Sequence, residues 1–144
     1  ATQHLVKPPR LFARSSRLRG GIHAVALHLG VAPVRQRYLE TARRAHKAGV
    51  RFAMGSDAVF TMFGQNTREL GWFVKAGMTP AEALGSATTN GAALLGMEKS
   101  LGAISPGFYA DIVAVEGDPL ADIDVVINKI RWVMKGGVVV VSAK

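Results

Sequence analysis

The sequence has 144 residues, 49% of them hydrophobic and 19% charged, with a net charge of +8 and no cysteine. That is one ordinary domain with enough apolar side chains for a core, but too little chain for a complete (β/α)8 barrel, which takes roughly 200 residues or more. Without cysteine, disulfides and thiolate metal sites are excluded.

The charge is unevenly placed. Residues 1–51 hold eleven Lys and Arg against one acid, Glu40, a net of +10; residues 52–144 hold seven against nine, a net of −2. The basic character therefore belongs to the first third, which argues against a uniformly basic nucleic-acid-binding domain. No apolar run approaches the roughly 18 residues of a membrane span, and no signal-peptide pattern follows Ala1. A cytoplasmic chain without a membrane anchor is expected.

Residues 1–21 sustain neither helical nor strand periodicity, and Pro8-Pro9 and Gly20-Gly21 punctuate them, so they read as loop. Ile22–Leu29 is short and apolar and suits either a strand or a helical turn. Pro33 opens a helix at its favoured first turn, with Leu39, Ala42, Ala45 and Ala48 at helical spacing and Gly49 as the stop. Val50–Met54 reads as a buried strand ending at Gly55-Ser56-Asp57. A loop over Ala58–Gln65, carrying Phe60, Met62 and Phe63, leads to a helix over Thr67–Ala76 capped by Asn66 and stopped by Gly77. Thr79-Pro80-Ala81-Glu82 has the residues of a capping box with Pro at the first helical position, and opens a helix to about Thr88. A short helix follows over Asn90–Leu95. Beyond Gly102 the period changes. Asp111–Val115 is a strand between turns at Pro106-Gly107 and Gly117-Asp118-Pro119. Ile127–Met134 alternates as a second strand, Gly136-Gly137 suits a two-residue hairpin turn, and Val138–Val141 returns.

Asp57 is the leading candidate for chemistry. It ends a buried strand, and in α/β folds that edge gathers ligands and catalytic groups. A carboxylate there can bind a metal or take a proton from water; a turn or helix-cap aspartate is the equal alternative on pattern alone. The four histidines, His4, His23, His28 and His46, show neither HxH nor HExxH spacing, and His46 falls on the charged, solvated side of its helix. The arginine-rich start has Phe12 as its one aromatic, unlike single-strand binders with interleaved aromatics. Asp118, Asp122 and Asp124 read as turn residues, and Trp72 and Trp132 as core or interface.

AHKAGVRFAMGSDA, FGQNTRELGWFVKAGMTPAEALGSATTNGAALLG, LGAISPGFYADIVAVEGDPLADI and VMKGGVVV, in that order, resemble the C-terminal part of the metal-dependent amidohydrolase superfamily, nearest to its imidazolonepropionase-like and Xaa-Pro dipeptidase-like groups. The resemblance covers about Leu29 to Lys144. It implies an α/β chain: the last part of a (β/α)8 TIM barrel over 29–101 and C-terminal strands of a small β-sandwich over 102–144. Residues 1–28 stand apart as a basic leader, expected to be a frame-shifted or mis-joined stretch.

In that family one or two divalent metals, commonly zinc, sit at the barrel mouth, held by an HxH, often a modified Lys, two further His and an Asp ending the last strand. Asp57 in GSDA matches that Asp, with Ser56 where Thr is more usual. The resemblance implies that Asp57 binds metal and serves as general base toward metal-activated water, cleaving an amide or peptide C–N bond of a dipeptide, N-acyl amino acid or cyclic amide. The HxH, the Lys and both further His have no counterpart here. The expectation is an incomplete portion of such an enzyme, inactive alone and prone to self-association. The competing expectation is a non-catalytic remnant or a basic nucleic-acid-binding module.

Overall fold

The computed structural model describes residues 20–59 and 62–142, and of residues 20–32 the backbone only. Of the loop expected over residues 1–21, residues 1–19 lie outside the described residues, as does Phe60, while Gly20 and Gly21 belong to a helix instead. The chain divides into two compact units, Ala1–Gln36 and Arg37–Lys144. In chain order the elements are α1 (Gly20–Lys47), α2 (Arg68–Lys75), α3 (Pro80–Ala87), α4 (Thr89–Leu94), β1 (Ile112–Val115), α5 (Val125–Asn128), β2 (Ile130–Lys135) and β3 (Val138–Ser142).

α1 begins at Gly20, so Pro33 lies inside it and does not open it. A helix-interior proline forfeits one backbone hydrogen bond and crowds the preceding turn, at about 3 kcal/mol. Here the backbone of residues 22–29 is helical on its upstream side, and the local rule that places proline at a first turn gives way. The other end matches the reading: Gly49, at φ +77, follows the last turn, where its N–H donates to the His46 carbonyl.

The second unit has a small dry centre. Leu70 and Phe73 of α2, Met78, Ala83 of α3 and Ile123 are buried together, with Phe52, Met54, Val74, Leu84 and Val126 packed against them. Phe52 meets Phe73 edge-on at 5.6 Å between ring centroids. Burying side chains of this size stabilises by roughly 1.5–3 kcal/mol each. α3 starts as expected: Glu82 N–H donates to Thr79 Oγ1, the Thr79 N–H donates to the Glu82 carboxylate, and Pro80 stands in the first turn. Arg43 donates to the Lys75 carbonyl at 3.1 Å, tying the last turns of α1 to the exposed C-terminal end of α2.

Val50–Met54 is not a strand. A strand needs a neighbouring backbone in register, and the neighbours of this segment are helices. The Met54 N–H donates to the Ser86 carbonyl at 2.9 Å, and Asn90 Nδ2 donates to the Phe52 carbonyl at 3.0 Å. Phe52 and Met54 pack partly buried against the core, Val50 is exposed where burial was expected, and the backbone finds other partners.

Three antiparallel strands form a sheet in the order β1-β2-β3. Val113 faces Val133, which in turn faces Val141, with bulges at Ala114/Val115 and Val133/Met134. Gly136 and Gly137 both have positive φ, +56 and +80, as a type I′ hairpin turn requires. Ile127 and Asn128, read as strand, close the short helix α5 instead. β2 begins only at Ile130, because the N–H groups of Ile127 and Asn128 are taken by the Asp124 carbonyl. Asp118 and Asp122 act as turn residues, accepting from the N–H groups of Leu120 and Asp124 at 2.9 Å each.

Candidate active site

Asp57 stands two residues beyond Gly55, where the core-packed segment leaves for the loop to α2. It is exposed, and it has φ +47, the positive-φ residue among the described non-glycines. Left-handed backbone is costly for a residue with a Cβ, although aspartate tolerates it better than most. Its carboxylate has no hydrogen-bond or ion-pair partner among the described residues. It is therefore open to solvent, able to accept a proton or to meet a ligand.

The loop before it is held from α2 and its approach. The Gly55 N–H donates to Glu69 Oε2 at 2.9 Å, and Asn66 Nδ2 donates to Ser56 Oγ at 3.0 Å. Asn66 thus does not cap α2: Thr67 takes the cap position, without a side-chain cap bond. Burial pushes the Glu69 carboxyl up, and the Gly55 N–H pulls it part of the way back. Neither Glu69 nor Asn66 was singled out for this by sequence. Both contacts span ten or more positions, beyond the reach of local pattern.

The histidine reading changes at one position. His46 is partly buried, and its Nε2 lies 3.8 Å from the Glu82 carboxylate. That carboxylate is held below its ordinary range chiefly by the Thr79 N–H, then by the Thr79 hydroxyl, with His46 a smaller influence. His46, Val50, Phe52, Met78, Glu82 and Asn90 line a cavity of about 400 Å³ that does not include Asp57. The side chains of His4, His23 and His28 lie outside the description. Among the described residues no three His, Cys, Asp or Glu come together as a metal site. A catalytic zinc takes about three protein ligands, so the described donors around Asp57 do not by themselves fit such a centre. Trp72 is partly exposed, with the Lys75 ammonium 4.5 Å from its ring centroid. No described helix is long and apolar enough to cross a membrane.

Residues 23–140 match the amidohydrolase family, and the chain belongs to it. It is 38% identical over 104 residues to ochratoxinase of Aspergillus niger, an alignment covering 69% of this chain and 21% of that enzyme. Among solved structures it is similar to a Xaa-Pro dipeptidase with methionine bound in its active site (39% identity, TM-score 0.66, 70% of this chain and 25% of that one). It is also similar to a prolidase complexed with N-methylphosphonate-L-proline (34% identity, TM-score 0.71, 78% and 28%). The chain thus spans about a fifth to a quarter of the length of these relatives. They support hydrolysis of amide bonds as the family chemistry.

Proposed function

We propose that this chain supplies the Asp57 carboxylate of an amide- or peptide-bond hydrolase built on a (β/α)8 barrel, of which it forms the last part. The observation that carries this is Asp57 itself: a carboxylate without a partner among the described residues, held at φ +47, at the end of a core-packed segment in an amidohydrolase-family chain. As general base, Asp57 takes a proton from the water that adds to the scissile carbonyl. It returns that proton to the departing nitrogen as the C–N bond breaks. The name of the Xaa-Pro dipeptidase favours dipeptides as the substrate class, beside the N-acyl amino acids that the resemblance implies.

A divalent metal, zinc by the resemblance, would polarise the carbonyl and acidify water. Asp57 would be one of its ligands, and the others would come from polypeptide beyond the described residues. The same polypeptide, or a second chain through self-association, would cover apolar side chains now facing solvent: Leu94 (76% exposed), Leu95 (70%) and Ile104 (84%). Val50–Met54 would then find strand neighbours and become the last barrel strand.

The test is a chimera in which this chain replaces the matching quarter of a Xaa-Pro dipeptidase. Hydrolysis of an Xaa-Pro dipeptide is expected, with Asp57→Asn lowering kcat about a hundredfold or more. A chimera that hydrolyses equally well with Asn at 57 contradicts the assignment.

A further inference from the structure

We propose that Glu69 is a positioning residue for Asp57: by accepting the Gly55 N–H, and with Asn66 holding Ser56, it locks the backbone turn that presents the Asp57 carboxylate. The proposal rests on the reading of Asp57 as the working group, and extends it to how that group is aimed.

The argument begins with the strained residue. Asp57 at φ +47 would relax toward ordinary backbone if the loop were free, because its Cβ crowds the following carbonyl in the left-handed region. Such conformations persist only where the surroundings over-determine them. Downstream of Met54, whose N–H is fixed to the Ser86 carbonyl, the described side-chain bonds that reach the two residues before Asp57 come from Glu69 and Asn66. Both are anchored in turn. Glu69 lies in the first turn of α2, one residue before Leu70, which is 2% exposed and at the heart of the core. The Glu69 N–H donates to the Asn66 carbonyl at 3.2 Å, so the two holding residues share one turn. A hydrogen bond from a backbone N–H to a carboxylate is charge-assisted and stronger than a neutral one, so it can help hold a strained neighbour in place.

Gln, Ala and Asp at position 69 differ usefully. Glu69→Gln keeps a carbonyl oxygen at the same reach and retains the grip. Glu69→Ala removes the acceptor. Glu69→Asp keeps the charge but falls one methylene short of Gly55, and serves if the alanine variant fails to fold.

The test is NMR on the full chain. In the unaltered protein the Asp57 amide shows the strong contact to its own Hα that marks positive φ, and the Gly55 amide is protected from exchange. In Glu69→Ala or Glu69→Asp the Asp57 signature is expected to vanish and Gly55 exchange to speed up roughly tenfold or more. Glu69→Gln is expected to restore both, and amides of β1–β3 should not move. A second arm uses Asp57→Gly, which removes the strain. It should raise Tm in the unaltered background and not in Glu69→Asp. An Asp57 signature that survives Glu69→Asp, or an equal Tm gain in both backgrounds, overturns the proposal. None of these readouts uses activity, so a failed chimera with an intact Asp57 turn would count against the function of Asp57 and not against its positioning.

Discussion

Helices α2 to α4 keep a dry centre: Leu70, Phe73 and Ala83 are buried, and Ser86, 1% exposed, spends its hydroxyl on the Ala83 carbonyl at 2.6 Å. The three strands do the reverse. β3 is exposed at every position, and what holds it is the ladder to β2, the two-glycine turn and pairs at the surface. Asp111 accepts from the Gly136 N–H at 2.6 Å and from Lys135 at 3.2 Å, and Glu116 pairs with Arg131. The helical region should therefore respond to volume, and the sheet to backbone geometry and pH. Asp57 leaves the helical region, where the residues before it are held by hydrogen bonds with Glu69 and Asn66 and not by the sheet.

The largest expected effect falls on the dry centre. Phe73→Ala removes the ring that meets Phe52 and should cost about 3–5 kcal/mol in urea unfolding. A cost below about 1 kcal/mol would erase the contrast between the regions. Next comes the junction. A Cβ added at Gly102, φ +87, would lie 2.8 Å from the Thr88 carbonyl oxygen, so Gly102→Ala should cost about 1–3 kcal/mol. Thr79→Ala dismantles the capping box and should cost about 1 kcal/mol, seen as faster amide exchange in the first turn of α3.

The smallest effect is the pH response of the sheet. The Gly136 N–H and Lys135 hold the Asp111 carboxyl below its ordinary range, and Arg131 does the same for Glu116. A lowered carboxylate contributes stability that is present above its unfolded pKa and is lost as pH falls through the folded value. Hairpin amides should therefore lose protection in acid below about pH 4. Asp111→Asn should flatten that response. Glu69 runs the other way: its raised carboxyl costs stability when ionised, and the cost is relieved as pH falls through its folded value. A hairpin that gains protection in acid would reverse the assigned sign.

What was legible in the sequence was local. The Thr79 to Glu82 box and the Gly136-Gly137 turn each depend on a few adjacent residues, and each stands where the spacing puts it. What was not legible depended on partners far along the chain. Val50–Met54 has a strand's composition but finds the Ser86 carbonyl and Asn90 beside it. Ile127 and Asn128 fit the alternation of a strand running to Met134, yet their N–H groups go to the Asp124 carbonyl and they close a short helix. Asn66 suits a cap and instead reaches Ser56, and Glu69 carries no local sign of its bond to Gly55.

The central claim is that this chain brings one carboxylate to a hydrolytic site whose other groups lie outside its described residues. The most direct measurement is elemental analysis of the purified full chain after zinc loading and dialysis, with Xaa-Pro dipeptide hydrolysis assayed on the same sample. Well under one zinc per chain and no hydrolysis are predicted. Stoichiometric zinc accompanied by hydrolysis would contradict the account.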